Sequence, residues 1–144
     1  MQALAITPEQ GAVLASIGFI GIANQAMAIA VAKARKQYGV EYPRLYAEGD
    51  SENARLFNCV QRAHQNTLEQ LPVWLAAQAA LASVHPMTAG VLGFVWMAGR
   101  IVYFLGYSSK GPQGRLPGTI VASLIQIGVL GFLLVNGGRT LLGA

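Results

Sequence analysis

Charge is scarce in this chain. Of its 144 residues, 11% are Asp, Glu, Lys or Arg and 53% are hydrophobic, where soluble domains carry roughly 25% charged residues. Together with a mean hydropathy of +0.44, this shortfall argues against an ordinary water-soluble domain and for an integral membrane protein. Cysteine is nearly absent. The single residue, Cys59, excludes an intrachain disulfide and leaves the redox compartment open. Two histidines and one cysteine, widely scattered, offer no metal-ligand spacing, so no metal is expected. No P-loop, no GxGxxG after a strand and no GxSxG occurs. With no glycine loop to cradle phosphates, a peptide-like ligand fits better than a nucleotide; no nucleic acid is expected as a partner. The length suits one helical domain, residues 1–144, with no room for a second.

Long uncharged runs are what the chain does have. Residues 12–32 carry no charge, and about 20 apolar residues suffice to cross a bilayer. Thr7-Pro8-Glu9 reads as a helix start: a cap, a first-turn proline and an anion near the positive helix end. Lys33, Arg35 and Lys36 follow this run, whereas a signal peptide carries its basic residues ahead of its apolar core. The run is therefore an uncleaved first helix. A polar connection precedes a second helix capped by Asp50 or Ser51, with a bend expected at Pro72. His85-Pro86 is a tight turn, residues 108–117 form a second polar loop, and residues 116–138 are again uncharged. The expected helices are about 8–36, 52–84, 86–107 and 117–139, an all-α, four-helix integral membrane bundle. Lys33, Arg35, Lys36, Arg44, Arg55, Lys110 and Arg115 all fall on the side of the first and third loops. The positive-inside rule makes those loops cytoplasmic. The end at Ala144, without a retrieval signal, points towards a bacterial inner membrane and leaves the endoplasmic reticulum open.

Against this apolar background stand two polar rows at helical spacing: Arg62, Asn66 and Glu69 in the second helix, and Arg100, Tyr103 and Tyr107 in the third. Counted from the shared turn at His85, with 1.5 Å per residue, both lie roughly 23 to 34 Å away. The rows therefore share one depth, in the cytoplasmic half of the membrane. Ionisable groups at such depths face a bundle interior and serve a function. Two facing rows build a cleft with guanidinium groups for carboxylates, Glu69 for an ammonium and Asn66 as donor and acceptor. A small peptide-like zwitterion suits it. Plainer readings exist for the same residues. Arg100 and Glu69 can form a buried ion pair that locks the two helices. The tyrosines can serve as an interfacial belt, and Asn66 as interhelical glue. Asn24, Gln78 and Gln126 read as interhelix hydrogen bonders, Ala26, Ala30 and Ala34 as a small-residue packing stripe, and Trp74 and Trp96 as packing or lipid-facing anchors.

The stretch Phe57-Asn58-Cys59-Val60-Gln61-Arg62-Ala63-His64-Gln65-Asn66-Thr67-Leu68-Glu69 resembles the second-helix signature of microsomal glutathione transferases of the third type. These belong to the membrane-associated proteins in eicosanoid and glutathione metabolism (MAPEG). Lys33-Ala34-Arg35-Lys36, Val40-Glu41-Tyr42-Pro43, Gly99-Arg100, Tyr103 and Gly106-Tyr107 extend the resemblance over nearly the whole chain, in order and spacing. It implies a homotrimer with glutathione as co-substrate between subunits. The lipophilic co-substrate, an electrophile or a lipid hydroperoxide, would arrive from the membrane lipid. Carried over by position, Arg62, Asn66, Glu69, Arg100, Tyr103 and Tyr107 contact glutathione. Arg35 is the candidate for a further basic contact after the first helix. Arg115 best matches the thiol-activating arginine, so Arg115 and Tyr107 are the catalytic candidates. The chain departs from several relatives at Gln70, where they carry tyrosine, at His64, where some carry glutamine, and in the length of the loop before Arg115. The resemblance thus implies a glutathione transferase or glutathione-dependent peroxidase. The rival expectations are a non-catalytic lipid-binding member of the family and a small four-helix transporter.

Overall fold

The computed structural model describes residues 5–143, and every one of their regular elements is helical. Helix α1 spans Pro8–Tyr38, α2 Glu52–Ala82, α3 Pro86–Lys110 and α4 Leu116–Leu142. Thr7 starts α1 with a reciprocal cap: its hydroxyl accepts from the Gln10 N–H, and the Gln10 side chain accepts from the Thr7 N–H. Ser51, rather than Asp50, caps α2 through the Ala54 N–H at 3.2 Å. Pro72 lies inside α2 without ending it.

The connection expected as a polar loop over residues 108–117 is largely helical. Helix α3 continues to Lys110, and the rest is a 3-10 turn, Gly111–Arg115, that runs directly into α4. Gly111 at φ 72° supplies the break. Pro112 and Pro117 sit in first turns, where a missing N–H costs nothing. The chain reverses there, so that α4 runs back along α3. Glycine permits the close approach: a Cβ on Gly118 would run into the backbone of Tyr103 and Gly99, and one on Gly106 into the backbone of Gly114.

Two stretches, Pro8–Tyr38 and Pro86–Leu142, contain windows long and apolar enough to cross a membrane. On α1 the inward stripe is Ser16, Ile20, Ala23, Met27, Val31 and Ala34. The alanine stripe expected for packing is thus only partly inward: Ala26 is exposed and Ala30 half-buried. The larger Ile20 and Met27 fill that space. Trp74 and Trp96, both fully buried, stack with ring centres 5.0 Å apart and planes 4° from parallel, an arrangement worth about 1 kcal/mol beyond its buried area. Gln78 crosses the same core. Its Nε2 donates to Ser16 Oγ of α1 at 2.7 Å and to the Ala89 carbonyl of α3 at 3.2 Å. This core fixes α2 and α3 against each other between their shared turn and the polar residues, and so sets the register of those residues.

Candidate functional site

The polar rows meet across α2 and α3. Arg100, 4% exposed, reaches from α3 to α2: Nη2 donates to Asn66 Oδ1 and to Thr67 Oγ1, each at 2.9 Å, and Nε donates to Thr67 Oγ1 at 3.3 Å. Thr67 spends its own proton on the Ala63 carbonyl at 3.1 Å, which leaves its oxygen free to accept. Asn66 Nδ2 donates to Glu69 Oε2 at 3.3 Å, and Arg62 Nη1 donates to Glu69 Oε1 at 2.9 Å. A continuous polar chain therefore runs Arg62–Glu69–Asn66–Arg100.

The direct Arg100–Glu69 lock is not the contact that forms. Glu69 pairs with Arg62 two turns back on its own helix, and Asn66 stands between Glu69 and Arg100. The side chains of Arg62 and Glu69 are each 42% exposed. A pair this open contributes about 0–1 kcal/mol to stability. Its charged groups remain accessible to a ligand that offers better partners.

The second row lines up along α3. The Arg100 guanidinium carbon lies 4.2 Å from the Tyr103 ring centre, a cation–π distance. Tyr103 and Tyr107 meet edge to face at 5.7 Å. Arg115, at the end of the 3-10 turn, lies 5.4 Å from the Tyr107 ring. The small residues at the reversal make this possible: with Gly114 against Gly106 and Gly118 against Tyr103, the turn folds down onto α3 and carries Arg115 to Tyr107.

Two open cavities flank the cluster. One, of about 290 Å³, is lined by Asn66, Arg100 and Tyr103 together with Gln70, Trp96 and Gln126. The other, of about 520 Å³, is lined by Arg62 and Tyr107 together with Tyr46, Asn58 and Cys59. The loop between α1 and α2 forms a wall of the second. Asn58 grips the Ala47 backbone from both sides, accepting from its N–H at 2.8 Å and donating to its carbonyl at 3.0 Å. The Tyr46 hydroxyl donates to Gln65 Oε1.

Arg35 is engaged elsewhere. Its Nη1 donates to the Arg44 carbonyl at 2.6 Å and the Val40 carbonyl at 3.3 Å, and its guanidinium lies against the rings of Tyr42 and Phe57 at 4.5 and 5.1 Å. It ties the first loop to α1 and α2. Sequence reasoning missed Thr67 and a glutamine relay. Thr67 sits beside Asn66, on the face of α2 that turns toward α3; its signal was a small hydroxyl at the depth of Arg100. In the relay, Trp96 Nε1 donates to Gln126 Oε1 and Gln126 Nε2 donates to Gln70 Oε1, both at 3.1 Å. Gln126 was legible as an interhelix bonder but not its partners, because periodicity names a face and not the residue opposite.

The sequence model of the MAPEG family matches residues 13–135, most of the chain and every residue of the polar cluster. This chain belongs to the MAPEG family. Among the proteins it is similar to, human microsomal glutathione S-transferase 2 is 33% identical over 128 residues, which span 82% of this chain and 80% of the relative. Bovine leukotriene C4 synthase is 31% identical over 111 residues, 76% of this chain and 70% of the relative. An uncharacterized protein of Synechocystis sp. is 34% identical over 108 residues, 72% of this chain and 74% of the relative. As a MAPEG protein the chain is all-helical and membrane-associated, with the two long apolar stretches that membrane residence requires.

Proposed function

We propose that the chain is a membrane-bound glutathione transferase, with glutathione-dependent peroxidase activity towards lipid hydroperoxides as a second outcome of the same thiolate chemistry. One observation carries the reading most directly: buried Arg100 lines one cavity and crosses to Asn66 and Thr67, beside a half-exposed Arg62–Glu69 pair whose Arg62 lines a second cavity. This is a polar surface prepared at membrane depth but not closed on itself, and a ligand with carboxylates and an ammonium completes it. The relationship to a human glutathione S-transferase supports glutathione as that ligand.

In this reading Arg62 and Arg100 take the carboxylates of glutathione, Glu69 takes its ammonium, and Asn66 and Tyr103 fix its amide backbone. Arg35 offers the guanidinium donors not spent on the first loop to a glutathione shared with the neighbouring subunit of a homotrimer. Arg115 faces the thiol across Tyr107. A free thiol has a pKa of about 8.5, and lowering it by two units requires about 2.7 kcal/mol of preferential thiolate stabilisation. A fixed guanidinium in a partly dry cleft is suited to supply that. It acts as a cation and not as a base, since arginine stays protonated. The thiolate then attacks a lipophilic electrophile that arrives from the bilayer. In the membrane the first and third loops face the cytoplasm.

The test uses detergent-purified protein. Addition of glutathione is expected to produce thiolate absorbance at neutral pH, and calorimetry a saturable binding heat. Arg115→Ala is expected to abolish the absorbance and cut kcat about 100-fold, equivalent to about 2.7 kcal/mol, with glutathione affinity changed only a few-fold. Absence of glutathione binding to the unaltered protein removes the enzyme reading. Unchanged absorbance and turnover in Arg115→Ala removes the role of Arg115.

A further inference from the structure

The 290 Å³ cavity has a side that the glutathione contacts leave unused. One turn along α2 from Asn66 lies Gln70, and one turn along α3 from Arg100 lies Trp96; Gln126 of α4 joins the two into a relay that lines the same cavity. The relay has a fixed direction. An indole nitrogen can only donate, and Trp96 is fully buried and clamped by its stack on Trp74, so its N–H cannot turn away. Gln126 must therefore present its oxygen to Trp96 and its NH2 to Gln70. The Gln70 oxygen is consumed in accepting, and what Gln70 has left is its own NH2, for which the described residues supply no hydrogen-bond acceptor. The relay ends as a donor, oriented by a tryptophan two links away. A row of neutral amides with no charge does not attract an anion from water, but in a cavity at membrane depth it selects for a ligand that brings an oxygen acceptor.

We infer that the Gln70 amide is the specificity-determining contact for the lipophilic co-substrate, and that it favours electrophiles whose oxygen gains negative charge during attack, conjugated carbonyl compounds in particular. The inference rests on the glutathione reading above. In the reaction the glutathione thiolate forms an S–C bond to the β-carbon of the enone. The C=C π pair moves to make the enolate, whose charge falls on the former carbonyl oxygen, and the Gln70 N–H stabilises that oxygen. A proton from water then goes to the α-carbon and restores the carbonyl. A benzyl halide reacts at the same thiolate but expels halide and puts no charge on a carbon-bound oxygen, so the relay gives it no advantage. Gln126 and Trp96 are positioning residues: they do not touch the co-substrate but decide that Gln70 donates. Trp96→Phe retains the ring stack and removes the N–H, which frees Gln126 and Gln70 to invert and offer oxygen to the cavity instead.

The experiment compares kcat/KM for a long-chain enone and for a benzyl halide, with glutathione affinity measured separately by calorimetry. In Gln70→Met the ratio of enone to halide kcat/KM is expected to fall about 10-fold, the share of one neutral hydrogen bond, while glutathione affinity stays within two-fold. Trp96→Phe is expected to lower the same ratio by a similar factor, although it leaves Gln70 in place; a merely structural tryptophan would change both substrates alike. The inference is overturned if the ratio is unchanged in both variants, or if Gln70→Met instead weakens glutathione binding, which would assign Gln70 to the glutathione site. Failure of the unaltered protein to bind glutathione at all would sink the underlying reading and this inference with it. Normal glutathione binding with an unmoved ratio sinks the inference alone.

Discussion

Two glutamines, Gln78 and Gln126, each cross-link three helices, and they are built differently. Gln78 lies 1% exposed, ties α2 to Ser16 of α1 and to the Ala89 carbonyl of α3, and adjoins no cavity wall that contains Arg100. Gln126 joins α4 to Trp96 of α3 and Gln70 of α2, and both Gln126 and Gln70 line the cavity beside Arg100. The same contrast runs through the whole bundle. Around Gln78 the helices α1, α2 and α3 are packed shut: Ser16 and Ala89 are fully buried, and a Cβ on Gly93 would run into Gln78 and Ser16. Further along, the Arg62, Glu69, Arg100 and Arg115 side chains are partnered incompletely or in the open. Unspent polarity alone does not separate the two ends, since Gln78 Oε1 and Trp74 Nε1 are buried without a hydrogen-bond partner; what marks the open end is charge that borders a cavity. The closed end supplies rigidity and the open end uses it.

The largest effect that sharpens this contrast comes from the glycines. Gly118→Val puts a side chain into the backbone of Tyr103 and Gly99, and neither can give way cheaply, so a cost of 3 kcal/mol or so is expected from overpacking. Thermal unfolding in detergent should fall markedly and glutathione binding should vanish. Gly128→Ala, whose Cβ would meet open space, is the matched control and should leave both intact. Next comes Arg100→Leu, expected to weaken glutathione binding at least 100-fold by calorimetry, about 2.7 kcal/mol. Gln78→Leu, its counterpart in the closed end, should cost about 1 kcal/mol of stability and leave that affinity unchanged. If Gln78→Leu also abolished binding, the separation of a closed end from an open one would fail. The smallest structural effect is expected for Glu69→Gln. Its pair with Arg62 is too exposed to hold the fold, so stability should change by less than about 1 kcal/mol, whereas glutathione affinity should drop about 10-fold. A large loss of stability with unchanged affinity would make the pair a strut.

The fold was largely legible because its signals are local. Uncharged runs, Thr7-Pro8-Glu9, Ser51 and Pro86 act over a few residues and specify helices wherever they occur. The residues of the polar cluster were legible for the same reason: i, i+4 and i+7 spacing places Arg62, Asn66 and Glu69 on one face whatever that face meets. The residues 108–117 were misread as a loop because their glycines and prolines suit tight helical turns as well as irregular chain, and only contact with Gly106 selects the turn.

The sequence by itself determined where the long helices run, which faces carry charge and that the two polar rows sit at one level along the bundle. The tertiary structure decided who meets whom: Arg100 with Thr67 and Asn66 rather than Glu69, Arg35 with loop carbonyls, and Trp96 with Gln126. Those choices turn on helix rotation and separation, which Gly99, Gly118 and Ala122 fix by close approach. A helix's own periodicity is blind to both quantities, since they exist only between helices.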